Sequence, residues 1–272
     1  MARIALVTGT STGIGRACAL HLAQHGFHVL AGVRDEADAP PGLEPVKLDV
    51  TSETDIAAVA ERIGPSLHAL VNNAGIAVNG PLEVLPIEQW RRQFEINVIG
   101  QVAITRAVLP ALLAARGRIV NISSISGRFA LPLVGPYTAS KFALEAISDS
   151  LRREIGPHGV HVACVEPGII ATPVWGKSRA EGERLVGEMP ADARARYEPM
   201  INALRRVADQ GERNGLPPEA VAEAVGHALT ASRPRTRYVI GREARVRAVM
   251  ARVLPDRALD ALVRRALTSG GR

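Results

Sequence analysis

The sequence predicts an α/β domain whose core is a doubly wound parallel sheet. Short apolar runs, each of strand length, alternate along the chain with longer segments of helical periodicity. The first apolar run ends in a glycine-rich turn that leads directly into a helix, which is typical of the opening unit of such a sheet. Right-handed crossovers between parallel strands would place helices on both faces.

The elements follow from these runs in chain order. Strands are expected where β-branched and aliphatic residues cluster, at residues 3–7, 27–33, 44–48, 67–71, 118–122, 160–165 and 238–240. Helices are expected after the glycine turn and near 53–63, 86–114, 136–155 and 217–231. The linker after the second strand contains Pro40-Pro41 and has room for little more than one helical turn.

Composition agrees with one packed domain. The 272 residues are 47% hydrophobic, and no low-complexity linker or repeat divides them. Cys18 and Cys164 fall in predicted helix and strand interiors, so neither a disulfide framework nor a metal site is expected, and a reducing compartment is. A strand that begins at residue 3 leaves no room for a signal peptide, and no uninterrupted apolar run has transmembrane length. We therefore expect a cytoplasmic protein.

The turn Thr8-Gly9-Thr10-Ser11-Thr12-Gly13-Ile14-Gly15 carries three glycines between a strand and a helix. Glycine permits a tight turn and a close approach of the backbone to a ligand. The N-terminus of the following helix supplies free N–H groups and the positive end of the helix dipole. The segment therefore indicates a site for the pyrophosphate of a dinucleotide.

A second group of residues points to proton transfer. Tyr137 and Lys141 are four residues apart, so a helix would place the phenol and the ammonium on one face. A lysine cation beside a tyrosine favours the phenolate and is expected to lower its pKa toward neutral pH. Ser124 lies thirteen residues before Tyr137 and directly follows a predicted strand. It would lie at the carboxyl edge of the sheet, where ligands bind.

Together these residues resemble the short-chain dehydrogenase/reductase family. The matching segments occur in the family's order between residues 3 and about 175. They are Thr8-Gly-x-x-x-Gly-Ile-Gly15, Leu48-Asp49-Val50, Asn72-Asn73-Ala74-Gly75, Asn97, Ser124, Tyr137-x-x-x-Lys141 and Pro167-Gly168-x-x-x-Thr172. The resemblance implies a Rossmann-type fold in residues 1–241 and an oxidoreductase that transfers a hydride between NAD(P)(H) and an alcohol or carbonyl.

The resemblance also assigns catalytic roles. Tyr137 would be the acid/base, and Lys141 would lower its pKa and bind the nicotinamide ribose. Ser124 would hold the substrate oxygen, and Asn97 would support a proton-relay water. The alternatives are a turn-capping serine at position 124 and an ordinary helix-interior asparagine at position 97.

Most of the remaining matching residues would contact the cofactor. The implied set, which includes the two residues of the Tyr–Lys pair, is Gly9, Ser11, Gly13, Ile14, Arg34, Asp49, Val50, Asn73, Ala74, Gly75, Tyr137, Lys141, Pro167, Gly168, Ile170 and Thr172. Within it, Asp49 and Val50 would meet the adenine. The alternative for Asp49 is a role in capping the next helix, where Thr51 and Ser52 compete with it.

The end of the second strand carries the signal for cofactor choice. Enzymes that use NAD place an acidic residue there to bind the ribose 2′-hydroxyl. Here that position is Gly32, followed by Val33 and Arg34, whose guanidinium can clamp a 2′-phosphate. Asp35 and Glu36 could instead pair with Arg34. We expect NADP(H) to be favoured over NAD(H).

Residues 173–216 are expected to form a helical lid that determines the substrate. Trp175 is either a wall of the substrate pocket or a staple of the lid, and Leu131 and Val134 would form the opposite wall. Few polar groups lie near them, which favours a small apolar alcohol or carbonyl, ketone or aldehyde, of steroid or retinoid type. The resemblance further implies a homodimer or homotetramer through the helices near 86–114 and 136–155.

Residues 242–272 are expected to form a basic, amphipathic helical extension. Residues 231–272 contain eleven arginines against Glu243, Asp256 and Asp260. Apolar stripes are predicted at Val246, Val249, Met250, Val253 and Leu254, and at Leu259, Leu262, Val263 and Leu267. Packing on the domain or on a partner subunit is favoured over peripheral contact with an anionic membrane. The extension resembles the retinol and 17β-hydroxysteroid dehydrogenase branch.

Three other functional classes are less well supported. The sequence pI is near 10.0, but aromatic residues make up only 3% and no nucleic-acid recognition motif is present. No Gly-x-Ser-x-Gly elbow supports a hydrolase. A catalytically silent NADP-binding sensor on the same fold is the main alternative, but such a sensor would not need all four of Asn97, Ser124, Tyr137 and Lys141.

Overall fold

The computed structural model describes residues 3–269, apart from the side chains at position 177 and at 267–269, so the predicted stripe residue Leu267 lies outside the described side chains. Within that range the strands are β1 (Arg3–Thr8), β2 (Phe27–Val33), β3 (Glu44–Lys47), β4 (Ala69–Asn72), β5 (Arg118–Ile122), β6 (His161–Pro167) and β7 (Arg237–Ile240). They form one sheet in the order β3-β2-β1-β4-β5-β6-β7, and every neighbouring pair is parallel. The predicted doubly wound, Rossmann-type sheet is confirmed.

Helices connect these strands as the periodicity predicts. They are α1 (Gly13–Gln24), α2 (Glu53–Ile63), α3 (Ile87–Phe94), α4 (Gly100–Ala115), α5 (Gly135–Ile155), α6 (Val174–Gly187), α7 (Ala191–Asn214), α8 (Pro218–Thr230), α9 (Arg242–Val253) and α10 (Asp256–Ser269). The short linker between β2 and β3 holds only the 3-10 turn Glu36–Asp38, as expected.

The core is divided between the two faces of the sheet because successive strand residues point to opposite sides. Ala5 and Val7 of β1 pack with α1 and α8 on one face. Leu6, between them, packs with α2 and α4 on the other face. Strand β4 begins at Ala69 rather than at the predicted residue 67, because the N–H of Leu67 donates to the carbonyl of Ala111 in α4 instead of to a strand.

A π-helical turn, Glu95–Ile99, joins α3 and α4 into one helix from Ile87 to Ala115. By length and composition alone this helix could cross a membrane, with a mean hydropathy of 1.7 over its most apolar window. We expected no segment of that kind. However, 44% of the window is buried inside the domain, and Ile104, Val108 and Leu112 pack in the core beneath the sheet. The domain core therefore accounts for much of the apolar character of the helix.

The basic extension is helical, and part of the apolar stripe of α9 is exposed on the domain surface. In α9, Ala244 is buried, whereas Val246, Val249 and Val253 are 57%, 62% and 71% exposed. These three valines do not pack on the domain, whereas Met250 and Leu254 of the same stripe are half-buried. Packing of the stripe on a partner subunit stays a prediction. The boundary that we placed between residues 241 and 242 stays a prediction.

Candidate active site

The candidate residues converge at the carboxyl edge of the sheet. Strand β1 ends at Thr8, β4 at Asn72, β5 at Ile122 and β6 at Pro167, and each is followed by a segment that carries predicted site residues. Because all the strands are parallel, their ends lie at the same edge, which is where ligands bind in open α/β sheets. The topology therefore collects segments far apart in sequence.

Ser124 begins a single 3-10 turn, Ile125–Gly127, immediately after β5. It is 7% exposed, and its Oγ accepts a hydrogen bond of 3.1 Å from the N–H of Ser126. The side chain thus caps the turn, as the alternative interpretation proposed. Its hydroxyl also lowers the pKa of Tyr137, so capping and a catalytic role are compatible at this position.

Tyr137 and Lys141 lie one turn apart on α5, with the ammonium nitrogen 5.7 Å from the centre of the phenol ring. Lys141 Nζ donates a 2.8 Å hydrogen bond to the carbonyl of Ile122, two residues before Ser124. The side chain of Lys141 is buried among the sheet ends. The predicted spacing therefore produces the predicted proximity.

The direction of the tyrosine pKa differs from our expectation. Burial raises the pKa of Tyr137, because the phenolate loses hydration, and the hydrogen bond with Ser124 only partly offsets this. Burial also lowers the pKa of Lys141 to about 8, against the opposing effect of the Glu145 charge. The ammonium of Lys141 points to the carbonyl of Ile122. Its attraction for a phenolate therefore does not outweigh the effect of burial on the pKa of Tyr137. The phenol of Tyr137 is thus protonated at neutral pH.

Asn97 lies in the π-helical turn and is fully buried. Its Oδ1 accepts the N–H of Ile76 at 2.9 Å, and its Nδ2 donates to the carbonyl of Ile76 at 3.0 Å. One turn earlier, the buried side chain of Gln93 binds the N–H of Val78 and the carbonyl of Ile76 in the same manner. Gln93 is not among the predicted site residues, although two amide side chains four residues apart on one helix were a usable signal.

The glycine turn has the shape that a close phosphate contact requires. Gly9 and Gly13 have φ of +70° and +58°, which other residues rarely adopt. A Cβ atom on Gly15 would lie 2.2 Å from the carbonyl oxygen of Gly9, so helix α1 packs directly on the turn. Thr12 caps α1 without a side-chain hydrogen bond, and no acidic residue lies in the first helical turn. The turn therefore fits a dinucleotide pyrophosphate.

A clamp between β1 and β4 holds this turn. Asn73 Nδ2 donates to the carbonyl oxygens of Thr8 and Gly9 at 2.9 and 3.0 Å. Thr8 Oγ1 accepts the N–H groups of Asn73 and Ala74, each at 2.9 Å. Thr8 is thus a supporting residue that we had not assigned a role. Gly75 follows, and a Cβ there would lie 3.2 Å from Asn97 Oδ1.

The predicted adenine side of the site contains a free guanidinium. Arg34 is exposed and makes no ion pair with any residue in the described range, so the alternative of pairing with Asp35 or Glu36 is not observed. Asp49 Oδ1 accepts hydrogen bonds of 2.9 and 2.7 Å from Thr51. Although burial opposes it, these bonds and the Arg34 charge lower the pKa of Asp49. Val50 is buried.

The remaining predicted residues surround the ends of β6 and α1. Gly168 donates its N–H to the carbonyl of Ile240 at 2.9 Å, and Ile170 is 3% exposed in a bridge to Leu216. Thr172 lies beside Gly13, because a Cβ on that glycine would be 3.2 Å from its methyl group. Ser11 is half-buried in the glycine turn, whereas the side chain of Ile14 packs against the core.

An apolar cavity lies between the two helices after β6 and the loops that face them. Trp175 lines it and also donates its Nε1–H to the carbonyl of Ile170 at 2.7 Å, so it is both a pocket wall and a staple. Met189 and Leu204 contribute from the lid. Leu133, which has an unusual φ of +66°, lines the opposite side of the cavity. We had expected Leu131 and Val134 of the same loop to form that wall.

Comparison with known proteins agrees with this geometry. The model of the short chain dehydrogenase family matches residues 3–183. An NADPH-dependent 3-dehydrocapnine reductase of Ornithobacterium rhinotracheale is 36% identical, with 95% of each chain covered. Retinol dehydrogenase 5 of Mus musculus is 39% identical, covering 94% of this chain and 86% of its own.

A solved structure of a short chain dehydrogenase from Burkholderia cenocepacia J2315 in complex with NADP superposes with a TM-score of 0.75 at 29% identity, with 98% of both chains covered. The family match covers well over half of the described chain. These relatives extend over almost its whole length. The protein is therefore a member of the short-chain dehydrogenase family and an NAD(P)-dependent oxidoreductase.

Proposed function

We propose that the protein is an NADP(H)-preferring dehydrogenase/reductase of an apolar alcohol or carbonyl, with Tyr137 as its acid/base. The observation that carries this proposal is the convergence of three side chains at the sheet edge. The Ser124 hydroxyl is near enough to Tyr137 to lower the pKa of the phenol, and Lys141 binds the carbonyl of Ile122, two residues before Ser124. The bound nicotinamide would supply or accept the hydride, so the chain itself needs only to position the substrate and move a proton.

Each residue of the group has a task that its surroundings support. Tyr137 is protonated at neutral pH and would donate its proton to the substrate oxygen during reduction. Ser124 would hold the same oxygen through its hydroxyl group. Lys141, buried and cationic below about pH 8, would bind the nicotinamide ribose. Asn97 would fix the loop after β4 through Ile76 and leave the wide π-helical turn for a proton-relay water.

The cofactor would lie along the carboxyl edge from the second strand to the sixth. We assign its pyrophosphate to the turn at Gly9 and Gly13 and its adenine to Asp49 and Val50. The remaining cofactor contacts are Ser11, Ile14, Arg34, Asn73, Ala74, Gly75, Tyr137, Lys141, Pro167, Gly168, Ile170 and Thr172. Of these, Asn73 would act through its amide clamp on the turn.

The preference for NADP(H) rests on Arg34 and on the relatives. Arg34 is exposed, makes no ion pair within the described range, and follows Val33 at the end of β2. A free guanidinium at that position suits a 2′-phosphate, which it can bind through two hydrogen bonds. One relative is an NADPH-dependent reductase, and one solved neighbour carries NADP.

Replacing Arg34 by alanine is expected to weaken NADPH binding about ten- to hundredfold, because charge-assisted hydrogen bonds to the 2′-phosphate are lost. NADH lacks that phosphate, so its affinity should change little. Dissociation constants for both cofactors, measured by fluorescence titration, test this. The matched control is Arg233→Ala, an arginine outside the proposed site. An unchanged NADPH/NADH preference in the Arg34 variant would contradict the assignment.

The substrate proposal rests on the lid. The cavity under α6 and α7 is lined by Leu133, Trp175, Leu185, Met189 and Ile201, among other residues. Its polar lining residues Asn79 and Ser178 are hydrogen-bonded to each other at 2.6 Å. Its charged lining residues Arg179, Glu183 and Arg205 are held in ion pairs. An apolar molecule of steroid or retinoid type therefore suits it better than a sugar or an acid. One relative's name specifies retinol and another's 3-dehydrocapnine.

The internal volume of this cavity is about 70 Å³. Pockets for drug-sized ligands span roughly 300–1,000 Å³, so we infer that α6 and α7 separate when substrate enters. Surface ion pairs join the two helices, including Arg205 to Glu183 at 2.6 Å and Arg179 to Asp209 at 2.5 Å. Exposed pairs of this kind contribute little to stability and can open.

The decisive experiment follows the absorbance of NADPH and then NADH in the presence of retinoid, steroid and aliphatic carbonyls. Turnover would identify the cofactor and the substrate class together. Tight cofactor binding without turnover on any carbonyl would instead favour a silent sensor. The complete set of Asn97, Ser124, Tyr137 and Lys141 favours turnover.

We also propose that the protein is cytoplasmic and contacts anionic membrane surfaces through α9. The exposed stripe of Val246, Val249 and Val253 lies in a segment in which arginines outnumber acidic residues. Apolar side chains flanked by arginines suit the interface of an anionic bilayer. A homodimer or homotetramer through α4 and α5 is a separate proposal, supported by the exposed side chains of Val102 and Phe142.

In a flotation assay, the protein is expected to bind phosphatidylserine vesicles but not neutral phosphatidylcholine vesicles. Changing both Val246 and Val249 to serine should reduce the bound fraction roughly tenfold, because two inserted apolar side chains are lost. Leu82→Ser serves as the control, since Leu82 is 78% exposed and lies far from the extension in sequence. Equal binding to neutral vesicles, or no binding at all, would contradict the membrane proposal and would favour packing of α9 on a partner subunit.

A further inference from the structure

A group of buried charges lies next to the candidate catalytic residues and has no role in the chemistry described above. Its centre is Glu166, the residue before the last in β6, which is 0% exposed. Arg128 Nη2 donates a 2.7 Å hydrogen bond to Glu166 Oε1. Arg237, at the start of β7, approaches the same oxygen at 3.4 Å. One carboxylate thus faces two guanidinium groups.

The group continues to the helix that carries the Tyr–Lys pair. Arg237 Nε donates to Glu145 Oε2 at 3.0 Å, and its Nη2 donates to Asp149 Oδ1 at 2.8 Å. Glu145 lies one turn after Lys141 on α5 and is 7% exposed. The charges therefore connect the end of β6, the start of β7 and α5.

The other side of the group reaches the turn that begins at Ser124. Arg128 directly follows that turn, Ile125–Gly127. A Cβ on Gly127 would lie 3.0 Å from Glu145 Cγ and 3.1 Å from the carbonyl of Lys141. The turn is thus pressed against α5, and its exit is held by the bond from Arg128 to Glu166. Any change in that bond would be transmitted to Ser124.

Burying the carboxylates of Glu166 and Glu145 costs the fold stability. Glu166 Oε2 and Glu145 Oε1 are both buried, and neither has a hydrogen-bond partner in the described part of the chain. Buried carboxylate oxygens without partners are rare and unfavourable. Two carboxylates held in this way between two elements of the site indicate a function.

We propose that Glu166 is a positioning residue for Ser124: in its ionised form it holds Arg128 and the turn in the catalytic geometry, and protonation loosens both. The inference rests on the proposed function, because it assigns Glu166 a task only if Ser124 holds the substrate oxygen. Glu166 itself need not touch substrate or cofactor.

The charges around Glu166 support a change of its ionisation near neutral pH. Burial first, and then the Glu145 charge, raise the pKa of Glu166 to about 7, against the opposing charges of Arg128 and Arg237. From the same strand, burial raises the pKa of Cys164 to about 12, so that thiol stays neutral. On α5, Lys141 titrates higher than Glu166, with a pKa of about 8.

Two further charged groups belong to this environment. Burial acts to raise the pKa of Asp149, but the hydrogen bonds from Arg152 and Arg237 lower it below its ordinary value. Asp149 therefore remains an anion at neutral pH. From α9, Arg245 donates to the carbonyl of Val239 at 3.4 Å and so faces β7.

The pH profile of carbonyl reduction tests the proposal. In the wild-type protein kcat is expected to rise as pH increases through about 7. In Glu166→Gln this acidic limb should vanish, and kcat at pH 8 should be lower by about tenfold, because Ser124 is no longer held in place. The dissociation constant of NADPH should not change. Persistence of the same limb in the variant would overturn the proposal.

Arg128→Gln provides a second test that does not depend on the Glu166 variant folding. Removing one of the two cations that oppose the pKa rise should move the acidic limb to higher pH, a shift that a merely structural role would not produce. Arg152→Gln is the matched control, because Arg152 binds Asp149 and contacts neither Glu166 nor the turn. An unmoved limb in Arg128→Gln would equally refute the inference.

Stability gives a readout that is independent of activity. The pKa of Glu166 is raised from its ordinary 4.5 to about 7, so the folded protein holds a proton that the unfolded chain releases. Wild-type stability should therefore fall as pH rises between these two values, and Glu166→Gln should remove that part of the decline. If instead Tyr137→Phe retained full turnover, the proposed function would fail. If Tyr137→Phe is inactive but wild-type stability does not fall between these two pH values, only the inference about Glu166 fails.

Discussion

Tyr137→Phe is expected to lower kcat for carbonyl reduction by about 10²–10⁴, the usual contribution of a general acid. The substitution removes only the hydroxyl that would protonate the substrate oxygen. The ring and its contact with the Lys141 ammonium, 5.7 Å from the ring centre, are retained. The affinity for NADPH should therefore stay within about twofold of the wild-type value, because no cofactor-binding charge is removed.

Single-turnover measurement of NADPH oxidation, together with a separate cofactor titration, distinguishes these effects. Tyr238→Phe is the matched control. Its hydroxyl group bonds His227 and the N–H of Arg235 at 2.9 and 3.0 Å, away from the sheet edge. That variant should lose about 1 kcal/mol of stability for the lost hydrogen bonds and keep its turnover. Equal activity in Tyr137→Phe and wild type would remove Tyr137 from the mechanism.

The pH dependence of this step has a defined sign. Because burial raises the pKa of Tyr137, the phenol stays protonated through neutral pH. Carbonyl reduction needs the protonated form and should decline only above the ordinary range of tyrosine. Alcohol oxidation needs the phenolate and should rise over the same alkaline range. A bound cofactor that lowered the tyrosine pKa would be detected as a shift of both limbs toward neutral pH.

Gly15→Ala is expected to weaken cofactor binding and to destabilise the fold. The added methyl carbon would lie 2.2 Å from the carbonyl oxygen of Gly9 and 2.3 Å from Asn73 Nδ2. The first contact is with backbone, so the glycine turn must move as a unit. Overpacking of this kind typically destabilises by about 1–3 kcal/mol. At roughly 2–4 °C per kcal/mol, Tm should fall by several degrees.

The NADPH affinity should fall by more than about tenfold, since the turn and the clamp from Asn73 would both shift. Calorimetric titration and thermal unfolding measure the two effects separately. Gly187→Ala is the control, because Gly187 lies in α6 with nothing within 4 Å of the added carbon. It should leave cofactor affinity unchanged and raise stability by up to about 1 kcal/mol. Similar behaviour of the two variants would contradict a close packing role for Gly15.

Local patterns were sufficient to predict most of the fold. The apolar runs that predicted strands, such as 27–33 and 118–122, depend on residues a few positions apart, and the structure places strands there. Where bounds differed, a tertiary contact was responsible. Strand β4 begins late because the N–H of Leu67 is taken by Ala111, forty-four residues away along the chain. Such a contact leaves no local trace in the sequence.

Local spacing also predicted the proximity of candidate site residues, and here too it did not predict the long-range contacts. Tyr137 and Lys141 share a helix face, so their proximity follows from a spacing of four. The clamp of Gln93 and Asn97 on the loop at Ile76 joins residues seventeen and twenty-one positions apart. Periodicity identifies the helix that carries these amides, but it does not identify the loop that they hold.

The outcome at α9 illustrates the difference between composition and packing. The valines were recognised as a helical stripe, and the helix is present. Which side of that helix meets the domain depends on the surface beneath it, and there Ala244 is buried against the segment at Gly168. Val246, Val249 and Val253 are left exposed.

The parallel sheet, the glycine turn and the convergence of the candidate site residues could be predicted from the chain, because each depends on short-range spacing or on the rule that parallel strands end at one edge. The protonation of those residues could not. Burial raises the pKa of Tyr137 and lowers that of Lys141, and the charges that act on Glu166 come from three separate segments. Desolvation and long-range charge pairing depend on distances in space, and only the folded arrangement determines them.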